Sequence, residues 1–135
     1  MAALTAARNT PEAFGTVRRF PLKANAVGYQ GGMAQVDANG YLVPASATAA
    51  NVTVGRFDET VSNAGGADGA VSADVRRGIF RFANSAAGDL IARTEIGKTV
   101  YVVDDQTVAK TNNAGARPAA GTCFDVDAQG VWVQF

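Results

Sequence analysis

The sequence predicts an all-β fold, a jelly-roll-like β-sandwich or barrel with an extended N-terminal arm, on three observations. Apolar residues fall in short alternating runs, as in NVTVGRF, where Val52 and Val54 are set against Thr53, and a period of two is that of strand side chains pointing to opposite faces. Gly, Asp and Asn punctuate these runs, which is turn chemistry. No long segment combines a helical period with a credible cap. About eight to ten short strands result, the pattern of sandwiches and barrels.

Taken in order, residues 1–13 read as an arm, because alanine is mixed there with Arg8, Asn9, Thr10 and Pro11 and nothing caps an apolar face. Residues 14–135 read as one β-sandwich domain. GTVRRFPLKA has the length of a strand, and Pro21, which lacks a ladder donor, places it at an edge or a bend. Met33 to Val43 reads as a hairpin turning at Asp37, Ala38, Asn39 and Gly40. Residues 126–133 repeat residues 36–43 at five of eight positions. The likeness ends at the hairpin, so shared turn chemistry accounts for it better than duplication. NVTVGRF is the next strand, and SNAGGADGA is a polar surface loop before a strand at Val71. In RRGIFRFAN, Phe80 and Phe82 share one face, expected to be the core, and Arg77, Ile79 and Arg81 share the other. Asp89 or Thr94 is expected to cap one helical turn ending at Gly97, and TVYVVDD and TVAK form a hairpin around Asp105 and Gln106.

Composition sets the limits on function. A chain of 135 residues, 47% apolar and 18% charged, lies in the globular range and can bury one core. Twelve basic and twelve acidic side chains cancel, which removes the net positive field that phosphate binding uses, so no nucleic-acid partner is expected. No stretch reaches the roughly 20 apolar residues of a membrane helix, and MAALTAARNTPEAFG has no signal-type apolar block. Synthesis in the cytoplasm and no membrane partner are expected. The single cysteine, Cys123, cannot form an internal disulfide and reads as a packing residue.

The chain contains no histidine, so nucleophile-histidine catalysis and histidine-based zinc sites have no residues to use. Carboxylates adjoin at Asp58-Glu59, Asp104-Asp105 and Asp125/Asp127. Several of these fall in turns, where aspartate satisfies backbone donors, and neighbouring strand residues point apart, against a glycosidase pair. Asp125, Asp127 and Asp37 lack the ligand spacing of a strong calcium loop. No glycine-rich phosphate loop is present. No catalytic, cofactor or metal residue is therefore assigned, and no enzyme activity is expected.

What remains is cationic and aromatic. Arg18, Arg19, Arg77 and Arg81 stand near aromatics, with Arg8 in the arm. The plain reading of each is a solvated strand residue, and as a group they are candidates for subunit or partner contact. Trp132 alternates with Val131 and Val133, so it points away from the valine face, either into a second sheet or out as an interface anchor.

At VRRGIFRFANS, IGKTVYVVDDQTVAKT, GTCFDVDAQGVWVQF and GYQGGMAQVDANGYLVPAS the chain resembles the head decoration, or cement, proteins of tailed bacteriophages, over residues 28 to 135. These are strand-and-turn signatures without a catalytic residue, so no site transfers position by position. The resemblance implies a virion protein made in the host bacterial cytoplasm. Such a protein binds the outer surface of the assembled capsid, bridges neighbouring capsomers of the major capsid protein, and pairs with itself as a homodimer, with a trimer as alternative. It also admits a β-tulip-like decoration fold. The competing reading is a carbohydrate- or receptor-binding β-sandwich of a phage fibre or adhesin, stacking ligands on Trp132, Tyr29, Tyr41 or Tyr101.

Overall fold

The computed structural model describes residues 2–135 and contains twelve strands and two single 3-10 turns. The all-β class is what forms, in its barrel version. Strands β1 (Val17–Pro21), β3 (Met33–Val36), β4 (Leu42–Pro44), β5 (Val52–Phe57) and β7 (Ser72–Arg76) make one sheet in the order β1-β7-β5-β3-β4. Its two edges meet at a single parallel bridge, Leu22 to Leu42, where the Lys23 amide donates to the Leu42 carbonyl at 3.0 Å. Strands β8 (Ile79–Asn84), β9 (Thr99–Val102), β10 (Thr107–Ala109), β11 (Ala119–Asp127) and β12 (Gly130–Gln134) close fully in the order β10-β8-β12-β11-β9. The short strands β2 (Val27–Gly28) and β6 (Val61–Ser62) pair beside the first sheet.

These two units are the same topology drawn twice. In each, the first strand pairs antiparallel with the last and parallel with the third. The register agrees from the first strand of each unit up to Phe57 and Cys123, beyond which β11 alone continues through a bulge at Phe124. Arg19 faces Asp74 as Arg81 faces Trp132, and Val36 faces Leu42 as Val102 faces Val108. Ala34 and Gln35 face Gly55 and Thr53, skipping Val54, as Val100 and Tyr101 face Gly121 and Ala119, skipping Ala120. Each barrel thus has a β-bulge at one and the same place, where an extra residue bends the strand and tightens closure. The two glycines confirm the match. A Cβ on Gly55 would lie 2.5 Å from the Arg76 carbonyl oxygen and 2.9 Å from Val75, and one on Gly121 would meet the Gln134 carbonyl oxygen and stand 2.9 Å from Val133.

This duplication is not the one the octapeptide likeness suggested and set aside. That likeness joins the β3–β4 turn to the β11–β12 turn, which occupy different places in the two barrels, so it is turn chemistry. Asp37 accepts from the amides of Asn39 and Tyr41, and Asp127 from those of Gln129 and Gly130. The same acid solves the same loop-closing problem.

Each barrel has its own core. Leu22, Ala34, Leu42, Phe57, Ala73 and Val75 fill the first. The second holds Phe82, Ile91, Val100, Val102, Val108, Cys123, Val131 and Val133, together with Met33 and Ala45 contributed by the first half. Phe82 is buried as expected, Phe80 only half so. Only Arg77 and Gly78 separate β7 from β8. The junction is further tied by Thr53 Oγ1 donating to the Ala119 carbonyl at 2.8 Å and by the Met33 amide donating to the Asp105 carbonyl at 2.7 Å. Arg56 stacks over Phe80 at 4.4 Å and binds Asp58 at 2.9 Å.

Two local expectations change. Residues 62–70 are no loose loop: buried Asn63 donates to the carbonyls of Lys23 and Ala67, both at 2.9 Å, and pins the segment down. The 3-10 turns at Ala87–Asp89 and Arg93–Glu95 start at Ala86 and Ala92 without a side-chain cap bond, so neither Asp89 nor Thr94 is a cap. Asp89 instead holds Thr111 and Arg117, tying the turn to the β10–β11 loop.

Candidate contact surfaces

The residues singled out from sequence separate into three places and an arm. Residues 2–15 have no regular structure and are exposed throughout, with Phe14 at 97%. Arg8 lies in this arm. At its root the Thr16 carbonyl accepts from the Arg77 amide at 2.8 Å, which brings the start of β1 against the β7–β8 junction.

Arg18 and Arg77 meet there. Both line an open groove of about 300 Å³ between the barrels, with β5 (Val52, Thr53), β11 (Gly121, Thr122) and Gln134 as its walls. Arg18 lies over Phe20 at 4.7 Å. Among the described residues neither guanidinium has an acidic partner, whereas Arg19, Arg56, Arg76, Arg93 and Arg117 are all ion-paired. A pair of unneutralised guanidiniums beside backbone-rich walls offers forked donors to a carboxylate.

Arg19 belongs elsewhere. It points to the outer face of the first barrel, where it binds Asp74 at 3.0 Å and Glu59 at 3.9 Å. Beside it Asp58 takes Arg76 through two bonds, at 3.0 and 3.1 Å. The hydrogen bonds from Arg76 hold the Asp58 carboxyl below its usual range and raise Arg76 in turn. This face is neutralised from within.

Arg81 and Trp132 form the third place, on the outside of the second barrel. Val131 and Val133 are fully buried and Trp132 points out, half-buried, so of the two roles open to it the second-sheet core is not taken. Its indole N–H donates to Asp127 at 2.8 Å, which with the backbone amides of Gln129 and Gly130 lowers that carboxyl, and Arg81 lies over the ring at 5.6 Å. Phe124, 53% exposed, and Ile79 complete an apolar patch with Asp125. Sequence reasoning missed Phe124. A bulge between Cys123 and Asp125 leaves it without a partner on β12 and turns it outward, and the only signal was its alternation with the buried Cys123.

The acidic residues weighed for chemistry do not assemble. Asp104, Asp127 and Asp37 each accept donors of their own turns, and among the described residues no three potential metal ligands cluster. Tyr29 lines a depression with Gly31, Gly32 and Asp105, separate from the Trp132 patch, so these two aromatics make no shared stacking platform. Among the described residues no helix is long and apolar enough to cross a membrane. No protein family, curated protein or solved structure matches this chain.

Proposed function

We propose that the protein is a capsid decoration protein of a tailed bacteriophage, binding the outer surface of the assembled head and bridging neighbouring copies of the major capsid protein. The observation that carries this reading is the continuity of arm and groove. Residues 2–15, exposed throughout and without regular structure, lead into β1, beside which Arg18 and Arg77 stand, among the described residues, without acidic partners. A rigid body with an orderable arm and a cationic groove at its root fits a clamp on an acidic surface. The arm orders at the moment of binding and the groove fixes its register.

Stabilisation then follows from mass action. A ligand that binds the expanded shell and not its dissociated subunits adds RT ln(1 + [L]/Kd), about 2.7 kcal/mol per site at a hundredfold excess over Kd. The sum over many sites on a shell is large even when each contact is modest.

Mixing the purified protein with undecorated expanded heads tests the proposal. Saturable co-sedimentation and a higher head-disruption temperature are expected. Deletion of residues 2–12, or the double change Arg18→Glu and Arg77→Glu, should weaken binding at least about tenfold, the scale of lost charge-assisted contacts. Equal occupancy and equal heat resistance with all three proteins would overturn the reading. Saturable glycan binding without head association would replace it with the adhesin alternative.

A further inference from the structure

We infer that the outer face of the second barrel, centred on Ile79, Phe124 and Trp132, is where a second copy of this chain docks, patch to patch about a twofold axis. The duplication supplies an internal control. In the first barrel Val17 stands where the second has Ile79, Asp74 where it has Trp132 and Arg19 where it has Arg81; after Phe57 comes Asp58, where β11, after Cys123, has the bulge residue Phe124 and then Asp125. There the acids close on Arg19 and Arg76. The same scaffold therefore closes without an aromatic residue on this face. Phe124 and Trp132 answer to something outside the chain.

Three further observations select a second copy as the occupant. The first is charge. An isologous contact sets each surface against itself, so the patch must carry both signs. Its surroundings do: Arg81 and Arg93 on one side of the ledger, Asp125 and Asp127 on the other, with the exposed Arg93–Asp125 pair at 3.5 Å free to exchange partners across the axis. A strongly acidic or basic partner would meet only half of these. The second is shape. The depression is shallow and lined by only four residues, and the closed barrel offers no free strand edge, which leaves flat-on-flat packing in place of strand addition or an inserted helix. The third is preparation. Asp127 and Arg81 hold the Trp132 ring in one orientation before any partner arrives, so little side-chain freedom is lost on docking.

Four residues line the patch, against the roughly 20–30 a side of a standard stable interface, so the free protein should associate weakly and reversibly. The proposal concerns the free protein and stands apart from head binding. Sedimentation velocity on the full chain, up to about 1 mM so that a weak contact registers, should show a monomer–dimer equilibrium. Phe124→Asp sets a charge in the middle of the apolar patch, and should raise the dimer dissociation constant at least about tenfold. Ile79→Lys serves the same purpose should the first variant melt early, and deletion of residues 2–12 should leave the dimer intact. A monomer throughout the range, a trimer, or a dimer lost on arm deletion and kept by both patch variants would overturn the inference.

Discussion

Replacing Gly55 or Gly121 by alanine tests the central structural reading, that one closure device is used twice. At both sites the bulged strand passes so close to the last strand of its barrel that a Cβ meets backbone and not a side-chain tip: the Arg76 carbonyl at Gly55 and the Gln134 carbonyl at Gly121, each with a valine methyl 2.9 Å away. A carbonyl committed to a barrel wall cannot swing aside, so the strands must separate. Overpacking of this kind costs about 1–3 kcal/mol. Gly55 carries a further burden, because its φ of +149° lies where side chains are strained, which adds about 1–3 kcal/mol. Gly121→Ala should therefore destabilise by about 2 kcal/mol and Gly55→Ala by about 4. Urea unfolding followed by Trp132 fluorescence and far-ultraviolet circular dichroism would measure both. The indole reports the second barrel and the dichroism both, so a Gly55 variant that opens only the first barrel would show two transitions. Two variants within about 0.5 kcal/mol of the parent, the range of ordinary surface changes, would refute the matched bulges and with them the duplication.

Stability should fall on acidification. The carboxyls of Asp37, Asp58, Asp89, Glu95 and Asp127 are all held below their ordinary values, chiefly by hydrogen bonds from the Tyr41 amide, Arg76, Thr111, Thr94 and Trp132 respectively. A depressed native value contributes stability that is complete above the unfolded value, 3.8 for aspartate, and is lost as the pH falls through the native one. Thermal melts should be level from about pH 5 to 7 and drop below about pH 4, and a melting point that rises on acidification would contradict these bonds. Cys123, 1% exposed, with its thiol pushed up first by burial and then by the Asp125 and Glu95 charges, should resist an aromatic disulfide reagent until the second barrel opens. Labelling at the rate of a free thiol in the native protein would place it at the surface.

The local elements were legible because their causes are local. The turns at Asp37 and Asp127 are written in residues within four positions of each other, and the alternation of Val131, Trp132 and Val133 separates the valine face from that of Trp132, while whether the latter meets a second sheet or solvent is decided by closure. Closure was not legible. It depends on Leu22 meeting Leu42 and on β8 meeting β12, pairings between distant segments that no local pattern encodes. The duplication escaped for a related reason. The connections from β1 to β3 and from β5 to β7 differ in length from their counterparts in the second barrel, and the positions that correspond share backbone demands more than side chains: Gly55 and Gly121 agree, as do Arg19 and Arg81, while Asp74 and Trp132 do not. Of the contact candidates, the arginines were found by type, but which were already neutralised could only be seen once Asp74 and Glu59 stood beside Arg19.

The single Leu22–Leu42 bridge also has a mechanical meaning. Tension on the arm enters at Val17 and runs along β1, whose antiparallel bonds to β7 cover five residues and would be loaded in shear. Its other flank is latched by that one backbone bridge and the neighbouring Lys23–Asp37 ion pair at 3.2 Å. Pulled hard, the molecule would give way at that latch first, letting the first barrel unroll while the second, sealed on every side, stayed closed.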